Sequence, residues 1–359
     1  MPHITRRHML STLAAAGTSA AVLGARAQET AAPAKPAILG DPRVRGPFPI
    51  LSTPYTESGD VDYDVLARQA QFVDHCGSPG MIWPQSNDSI DLLTTDEKLK
   101  GMTVLAEAMR GRRTALCLGV QGKDTEEMLI FAKHAESLAP TAFCSRPPDT
   151  GQTEDDLRAY WNALAGVTKR PVIIQTTGHS NYKGPAPSVK LLVELAKTHA
   201  NFGYVKEESG NIMQRMRELI AAKPAILRVF SAWGGPGWLH QSRIGTEGLI
   251  TERAAYADLL ARIWQLMDNN PDSIELEDAF SKLLLMININ ATVHGHHLRG
   301  PHLHIWKMRG IFKNTLSREY GPKNATPEKP ILHEYTFSQS DKAETERRFA
   351  ALKPYLIKD

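Results

Sequence analysis

Short apolar runs alternate with longer amphipathic stretches along most of this chain, beginning at Pro47. Each apolar run has the usual length of a strand in a globular protein. Turn-forming or helix-capping residues follow most of the runs, so the pattern predicts eight strands separated by helices. The predicted strands lie at residues 47–53, 80–84, 114–119, 140–145, 171–175, 202–206, 226–231 and 246–251.

The first six stretches between these strands have the hydrophobic spacing of amphipathic helices. Several begin with Thr, Ser, Asp or Asn followed by acidic residues. Such residues accept hydrogen bonds from the free N–H groups of a helix start and complement the positive end of its dipole. The seventh stretch, GGPGWLHQSRIG, contains glycines and a proline and has the weakest helical signal. The six helical stretches are VDYDVLARQAQFVDHC, TTDEKLKGMTVLAEAMR, DTEEMLIFAKHAESL, TEDDLRAYWNALAGV, SVKLLVELAKTHA and NIMQRMRELIAA.

The repeated order of strand and helix indicates a parallel sheet, because a helix is the usual connection between parallel strands. Eight repeats predict an α/β protein with a closed (β/α)8 TIM barrel. An open nucleotide-binding sheet is disfavoured, since no G-x-G-x-x-G sequence follows a strand and no Walker-type loop is present. After the eighth strand the pattern becomes helical, with no further strands evident. We therefore predict the barrel at residues 42–271 and a C-terminal helical domain at residues 272–359.

The segment before the barrel has the pattern of an export signal. Arg6 and Arg7 precede an Ala/Leu-rich stretch, and Ala25-Arg26-Ala27 resembles an A-x-A cleavage site. This arrangement is typical of a twin-arginine signal. We predict a signal at residues 1–27, a linker rich in Ala, Pro and Glu at residues 28–41, and export to the periplasm. No membrane association is expected after the signal is removed.

Composition and charge describe an ordinary globular protein. Of the 359 residues, 42% are hydrophobic and 23% are charged, and the formal net charge is +3. The nearly balanced charge, without a basic run, predicts no nucleic-acid partner. Cys76, Cys117 and Cys144 are an odd number of cysteines at irregular spacing, so we expect buried free thiols rather than a disulfide framework.

Lys206 ends the sixth predicted strand, in the sequence YVKEESGN at residues 204–211. Reactive side chains of a TIM barrel lie at the C-terminal ends of its strands. Desolvation there would lower the pKa of a lysine and favour the free amine, which can attack a carbonyl to form a Schiff base. The alternative is a structural lysine that reaches solvent or pairs with Glu207 or Glu208. The strand position alone leaves both interpretations open.

YVKEESGN resembles the Schiff-base segment of the dihydrodipicolinate synthase / N-acetylneuraminate lyase family of class I aldolases. The resemblance extends from about Gly46 to Leu266. It includes PILSTPYTESGDVDYDVLARQAQFVDHCGSPGMI near the start, and PVIIQ with the helix SVKLLVELAK. It implies that Lys206 forms the Schiff base in a (β/α)8 barrel with a C-terminal helical domain. It also implies 2-oxo-acid substrates such as pyruvate, a homo-oligomer (tetramer or dimer), and no metal or organic cofactor.

Two motifs of that family are altered in this chain. After the second strand the family has a Gly-Thr-Thr-Gly-Glu segment that holds the substrate carboxylate, whereas this chain has Ser86, Asn87 and Asp88 and neither glycine. At the end of the fifth strand the family has a proton-shuttling tyrosine. Here Gln175 takes its place, and an amide does not transfer protons at ordinary pH. His179 follows in the same loop, and its imidazole is suited to proton transfer near neutral pH.

These positions define a candidate site with Lys206 as the nucleophile and His179, Ser86 or Tyr182 as the proton-transfer group. We predict a Schiff-base-forming lyase that acts on a 2-oxo acid or a related small carbonyl substrate. The alternative is an exported protein that binds carbonyl compounds with impaired catalysis, because the proton relay is altered. The substrate-binding candidates are Thr53, Asn87, Asp88, Cys144, Gln175 and Trp233.

Five histidines lie between His294 and His304, and imidazole is a good ligand for Zn²⁺ or Cu²⁺. The run contains no cysteine or carboxylate, and Gly300-Pro301 interrupts the spacing that would place two histidines on one helix face. We therefore interpret the run as a loop or helix start that packs on the barrel, and we predict no metal site.

Overall fold

Eight parallel strands alternate with eight helices in the computed structural model, which describes residues 39–86, 88, 90–178, 181–291, 293, 299–319 and 326–357. Each strand is followed by one helix, as the sequence pattern predicts. The strands are β1 (Gly46–Pro49), β2 (Gly80–Trp83), β3 (Ala115–Gly119), β4 (Ala142–Ser145), β5 (Val172–Gln175), β6 (Tyr204–Lys206), β7 (Arg228–Phe230) and β8 (Gly248–Thr251). The helices are α1 (Tyr63–His75), α2 (Thr95–Ala108), α3 (Thr125–Leu138), α4 (Glu154–Ala165), α5 (Val189–Thr198), α6 (Ile212–Ala221), α7 (Trp238–Arg243) and α8 (Ala257–Asn269).

The strands form a curled parallel sheet in chain order. Six strands, β2 to β7, pair consecutively, and β1 pairs with β8. Parallel bridges between Ile50 and Ile82 and between Ser231 and Leu249 join the two groups at both edges. The amide of Leu51 also donates to the carbonyl of Ile82 at 3.0 Å. This connectivity arranges the eight strands as in a (β/α)8 barrel, so their C-terminal ends open onto one face.

Helix starts follow the predicted capping chemistry. The Thr94 hydroxyl accepts from the backbone N–H of Glu97 at 3.2 Å, and the Glu97 carboxylate accepts from the N–H of Thr94 at 2.9 Å. Thr153 and Asp156 make the same reciprocal box at the start of α4. These bonds satisfy backbone donors that a helix start otherwise leaves free. The short α7 forms even within the Gly- and Pro-containing stretch.

The apolar side chains divide into an inner and an outer core. One cluster fills the barrel interior and includes Phe48, Cys144, Tyr204 and Phe230, with Phe48 and Phe230 packed edge to face at 5.8 Å. A larger cluster lies between the strands and the helices and includes Val205. Because strand side chains alternate, Tyr204 faces inward and Val205 faces outward. The three cysteines are buried and free, as predicted.

The segment after the barrel combines helices with a hairpin. Its helices are α9 (Ile274–Ile287), α10 (Arg299–Met308) and α11 (Gln339–Ala350), while β9 (Leu316–Glu319) and β10 (Ile331–Glu334) pair antiparallel. The prediction of an entirely helical segment was therefore wrong. The four-residue strands, LSRE and ILHE, carry charged residues and lack the apolar run that marked the barrel strands. The predicted boundary after residue 271 falls between α8 and α9, and residues on both sides of it belong to one compact unit.

Arg318 docks the hairpin onto the mouth of the barrel. Its guanidinium donates to both carboxylate oxygens of Glu97, at 2.6 and 2.7 Å, and to the carbonyl of Gly59 at 2.8 Å. It also lies over the Tyr55 ring at 4.9 Å. Bidentate pairing fixes direction as well as distance, so the hairpin is held beside the start of α2. Across the described residues, no helix has the length and apolar character needed to cross a membrane.

Candidate active site

Lys206 is buried at the C-terminal end of β6, with only 3% of its surface exposed. Its side chain shares the inward direction of Tyr204, two residues earlier on the strand. The ammonium nitrogen donates to Oε1 of Gln175 at 3.2 Å and lies 3.0 Å from Oε2 of Glu208. Gln175 is the register partner of Lys206 on β5, so the sheet itself places the amide beside the amine.

A polar chain continues from Gln175 across the barrel mouth. The Nε2 group of Gln175 donates to the Ser86 hydroxyl at 3.4 Å, and that hydroxyl also accepts from Nη1 of Arg146 at 2.8 Å. The other end of the guanidinium donates to Asp91 at 2.5 Å. Arg146 is buried, and its charge is balanced by that carboxylate. The mouth therefore presents an amine, an amide, a hydroxyl and a guanidinium in series.

The loop after β2 is fitted closely against β3 and β4. The buried Gln85 amide donates to the sulfur of Cys144 at 2.8 Å and accepts from the amide of Gln121 at 3.3 Å. A Cβ atom on Gly119 would come within 1.8 Å of the Pro84 carbonyl, so this approach requires glycine. Burial raises the pKa of Cys144 to about 12, which leaves a neutral thiol in the wall of the site.

Glu207 and Glu208 point in opposite directions and have different partners. The fully buried Glu207 lies 3.0 Å from the guanidinium of Arg215 on α6, and it accepts from the Thr176 hydroxyl at 3.0 Å and the Ser209 amide at 2.8 Å. Glu208 instead faces Lys206. The alternation along the extended chain thus separates one carboxylate for the scaffold from one for the lysine.

Thr53 and Asp88 bind each other behind the loop. The Asp88 carboxylate accepts from the backbone amide of Thr53 at 2.8 Å and from its hydroxyl. The indole of Trp83 donates to the Thr53 hydroxyl at 3.0 Å. These bonds tie the ends of β1 and β2 together, so both residues support the site instead of joining the polar chain from Lys206.

Trp233 stands at the rim of the site in an uncommon conformation. Its φ is 59°, its side chain is exposed, and its indole donates to the Glu208 carbonyl at 3.2 Å. A left-handed backbone costs a non-glycine residue about 1–2 kcal/mol, so the loop and this hydrogen bond must hold it in place. The exposed indole is therefore displayed next to the residue that pairs with Lys206.

The remaining predicted residues divide by position. His179 and Asn87 lie outside the described residues. The Tyr182 hydroxyl donates to the Pro185 carbonyl, and burial raises the pKa of Tyr182 to about 12, so this phenol is engaged within its own loop. Gln175 contacts Lys206 directly and Ser86 is linked to it through Gln175, whereas Cys144 reaches the network through the Gln85 loop.

In the histidine run, only His302 and His304 have described side chains. His302 packs edge to face on Tyr256 and Trp306, and burial lowers its pKa to about 3. Among the described residues, its ring nitrogens have no hydrogen-bond partner. His304 lies 3.1 Å from Glu346. Within the described part of the chain, no group of three His, Cys, Asp or Glu residues is placed to hold a metal ion.

Sequence reasoning did not include Arg146 among the candidate site residues. Arg146 directly follows β4, and a charged residue at the end of a buried barrel strand was a usable signal. Glu208 was identified together with Glu207 as a possible partner of the lysine, and the alternation of side chains places Glu208 on the same side of the chain as Lys206. The arrangement can bind a carbonyl next to a primary amine, with donors nearby for a carboxylate.

Comparisons with known proteins find sequence relatives and structures of the same fold, although no family model matches the chain. The 4-hydroxy-tetrahydrodipicolinate synthase of Rhizobium meliloti is 28% identical over 239 residues, which cover 62% of this chain and 79% of that protein. Sialic acid aldolase from Ruminococcus gnavus superposes with a TM-score of 0.74 at 17% identity, covering 88% of this chain and all of that one. N-acetylneuraminate lyase from Fusobacterium nucleatum gives 0.72 at 16% identity, with the same coverage.

The structural neighbours share the fold of this chain, and sequence relatives such as those of Rhizobium meliloti and Phocaeicola vulgatus are 4-hydroxy-tetrahydrodipicolinate synthases. Together they support the dihydrodipicolinate synthase / N-acetylneuraminate lyase family, which the YVKEESGN segment resembles.

Proposed function

We propose that this chain is a Schiff-base-forming lyase of the aldolase type that acts on a 2-oxo acid. The observation that carries the proposal is Lys206, a primary amine buried at the C-terminal end of a barrel strand beside Gln175 and Glu208. Relatives named as synthases of this family, and neighbours named as lyases, support the same class of enzyme.

The first step is imine formation at Lys206. The neutral amine attacks the carbonyl carbon, a C–N bond forms, and the carbonyl oxygen leaves as water after taking up two protons. Glu208 lies 3.0 Å from the lysine nitrogen, so its carboxylate can accept the proton that the ammonium must lose. The resulting iminium withdraws electrons from the neighbouring carbon, which permits cleavage or formation of the adjacent C–C bond.

Ser86 and Arg146 supply the donors for the substrate carboxylate. The Ser86 hydroxyl accepts hydrogen bonds from both Gln175 and Arg146. The Gln175 amide therefore connects this hydroxyl to Lys206. A guanidinium suits a carboxylate because it donates in a planar fork. The pair takes the place of the Gly-Thr-Thr-Gly-Glu segment of the family, whose hydroxyl and backbone N–H groups hold the substrate carboxylate.

A second function, binding of carbonyl compounds without efficient turnover, is favoured by one observation. Gln175 lies 3.2 Å from the lysine nitrogen, at the strand end where the family has a proton-shuttling tyrosine, and an amide does not relay protons. Imine formation would survive this replacement, while cleavage would slow by roughly 10²–10⁴-fold, the usual contribution of acid–base help. Steady-state turnover of a trapped oxo acid separates the two functions.

Borohydride trapping tests the imine. Mature protein is incubated with pyruvate, reduced, and weighed by mass spectrometry, and peptide mapping then identifies the modified lysine. The expected result is one adduct on Lys206 that is absent from Lys206→Ala and retained by Lys197→Ala, an exposed lysine on α5. If no 2-oxo acid gives an adduct on the wild-type protein, or if the adduct is on another lysine, the proposal is wrong.

We also propose that the protein is exported through its N-terminal segment and assembles as a homo-oligomer, a tetramer or dimer. The paired Arg6 and Arg7 support export, and the family resemblance supports assembly. Cell fractionation of the wild type and an Arg6→Lys/Arg7→Lys variant tests the first proposal, since twin-arginine transport depends on that pair. Light scattering of the mature protein tests the second, and a monomer would contradict it.

A further inference from the structure

A polar cavity of about 310 Å³ lies immediately beyond Arg146. Apart from two residues of the segment between β9 and β10, its lining comes from the loops after β2, β3, β4 and β5 and the first turns of their helices. It therefore opens on the same face of the barrel as Lys206. The lining residues that matter here are Lys98, Gln121, Lys123, Arg146, Asp149 and Glu328.

Lys98 is the unusual member of this lining. It lies on α2, only 8% of its surface is exposed, and its nitrogen has no hydrogen bond or ion pair within the described part of the chain. The nitrogen lies over the Phe131 ring, 5.0 Å from its centroid. Lys98 lines the cavity, and a largely buried ammonium without a protein acceptor is costly because fewer water molecules solvate its charge. Burial also lowers the pKa of Lys98.

The cavity walls have an uneven distribution of charge. Lys98 and Arg146 are buried, and the carboxylate of Asp91 is engaged by Arg146. Glu127 accepts from the backbone amide of Lys123 at 2.6 Å. Glu328 and the Lys123 side chain are exposed at the rim, where water weakens their effect. The lining therefore combines three cations with four carboxylates, and Lys98 makes no hydrogen bond or ion pair with any of these carboxylates within the described part of the chain.

We propose that this cavity is a subsite for a second carboxylate of the substrate, held by Lys98. This rests on the proposed function, since the oxo group is placed at Lys206 on the other side of Arg146. Arg146 then separates the two halves of the site, with one edge toward Ser86 and the other toward Asp91 and the cavity. With a second carboxylate bound by Lys98, the expected substrate is a 2-oxo dicarboxylic acid.

The test compares 2-oxo diacids with monoacids of the same chain length. The diacids are 2-oxoglutarate, 2-oxoadipate and 2-oxopimelate, and half-saturation of borohydride trapping is measured for each pair. A charge-assisted hydrogen bond to the distal carboxylate should lower the half-saturating concentration of at least one diacid by roughly tenfold or more. Lys98→Met should abolish that preference and leave the monoacid unchanged, while Lys100→Met, an exposed lysine on the same helix, should keep it.

Direct binding separates this subsite from the imine. Calorimetry with glutarate and adipate, which have no carbonyl group, measures carboxylate binding alone, and circular dichroism checks that Lys98→Met and a second variant, Lys98→Gln, are folded. Diacid binding that depends on Lys98 without any trapped adduct keeps the subsite and rejects the imine. Equal half-saturation for diacids and monoacids, or a preference that survives in both folded Lys98 variants, overturns the subsite.

Discussion

Two buried lysines lie at the same face of the barrel and differ in the number of hydrogen-bond and ion-pair partners that surround them. Lys206 ends a strand and has Gln175 and Glu208 within 3.2 Å of its nitrogen. Lys98 lies on a helix and faces a cavity, with no acceptor within the described residues. The cost of removing an ammonium from water is offset inside the protein for the first lysine. For the second, we propose that the carboxylate of a molecule in the cavity supplies the offset.

The difference indicates that one lysine is the nucleophile of the site and the other is a substrate-binding group. A nucleophile benefits from partners that hold it in position and exchange its proton, and Lys206 has them before any substrate arrives. A binding group gains most when its partner is supplied by the ligand alone, because no internal bond must then be broken. The comparison predicts that only one of the two lysines reacts with a carbonyl.

The largest effect is expected when each lysine is replaced by methionine. Lys206→Met should abolish the borohydride-trapped pyruvate adduct completely, since the amine that forms the imine is removed. Lys98→Met should retain the pyruvate adduct within about twofold of wild type, because pyruvate has no second carboxylate to reach the cavity. Intact-protein mass spectrometry measures both. An adduct that persists in Lys206→Met would reverse the assignment of the two lysines.

Glu207, the buried carboxylate that pairs with Arg215, should contribute to the stability of the fold and not to imine formation. Glu207→Gln removes the counterion of Arg215 in a fully buried environment, so the free energy of unfolding should fall by about 3 kcal/mol. Urea denaturation measures the loss. Trapping per folded molecule should stay near wild type, because Glu207 does not contact the lysine nitrogen. A stable variant with lost trapping would place Glu207 in the reacting site.

The amide that joins Lys206 to Ser86 should have an intermediate effect. Gln175→Leu removes the acceptor 3.2 Å from the lysine nitrogen and the donor to Ser86, so imine trapping should slow by roughly tenfold. The rate of imine formation is obtained by adding borohydride after several incubation times and measuring the amount of adduct by mass spectrometry. Gln152→Leu, which changes an exposed glutamine, is the matched control. An unchanged rate in Gln175→Leu would mean that the amide only fills space.

The smallest effect concerns the pH dependence of stability. Burial lowers the pKa of Lys98 below 10.5, helped by Arg146 and opposed by Glu127, Asp91 and Asp149. The unfolded chain then binds this proton more tightly than the folded one, so stability rises with pH between the folded pKa and 10.5. At neutral pH, Lys98→Met should be more stable than wild type by about 1 kcal/mol, since the buried charge is removed.

Denaturation of Lys98→Met and wild type over a range of pH checks this prediction. The gap between them should shrink as the pH approaches 10.5, where the lysine loses its proton in both states. A gap that widens with increasing pH would show that the burial of Lys98 does not penalise its charged form.

Much of the fold could be predicted because the barrel elements are periodic. Each barrel strand is buried, and an apolar run in the sequence predicted each of the eight. The hairpin of β9 and β10 could not be predicted, since its short strands carry charged residues and are stabilised by a distant contact, the pairing of Arg318 with Glu97. A contact between residues so far apart in the chain leaves no mark in either local pattern.

The candidate site was predictable where chemistry lies at a strand end. Lys206, Gln175 and Ser86 were identified in this way, and the structure brings them together. Lys98 was not identified, because the stretch TTDEKLKGM has the look of an exposed helix face. Only the packing of α2 against its neighbours buries this side chain.

The chain repeats an apolar run followed by a helical stretch eight times. This repeat alone predicted parallel strands whose C-terminal ends share one face. It also implied that a lysine at such an end would be confined. How Arg146 divides the mouth and why Lys98 is buried were decided by tertiary structure. The reason is physical: backbone periodicity acts over a few residues, whereas burial and ion pairing depend on segments that meet only after folding.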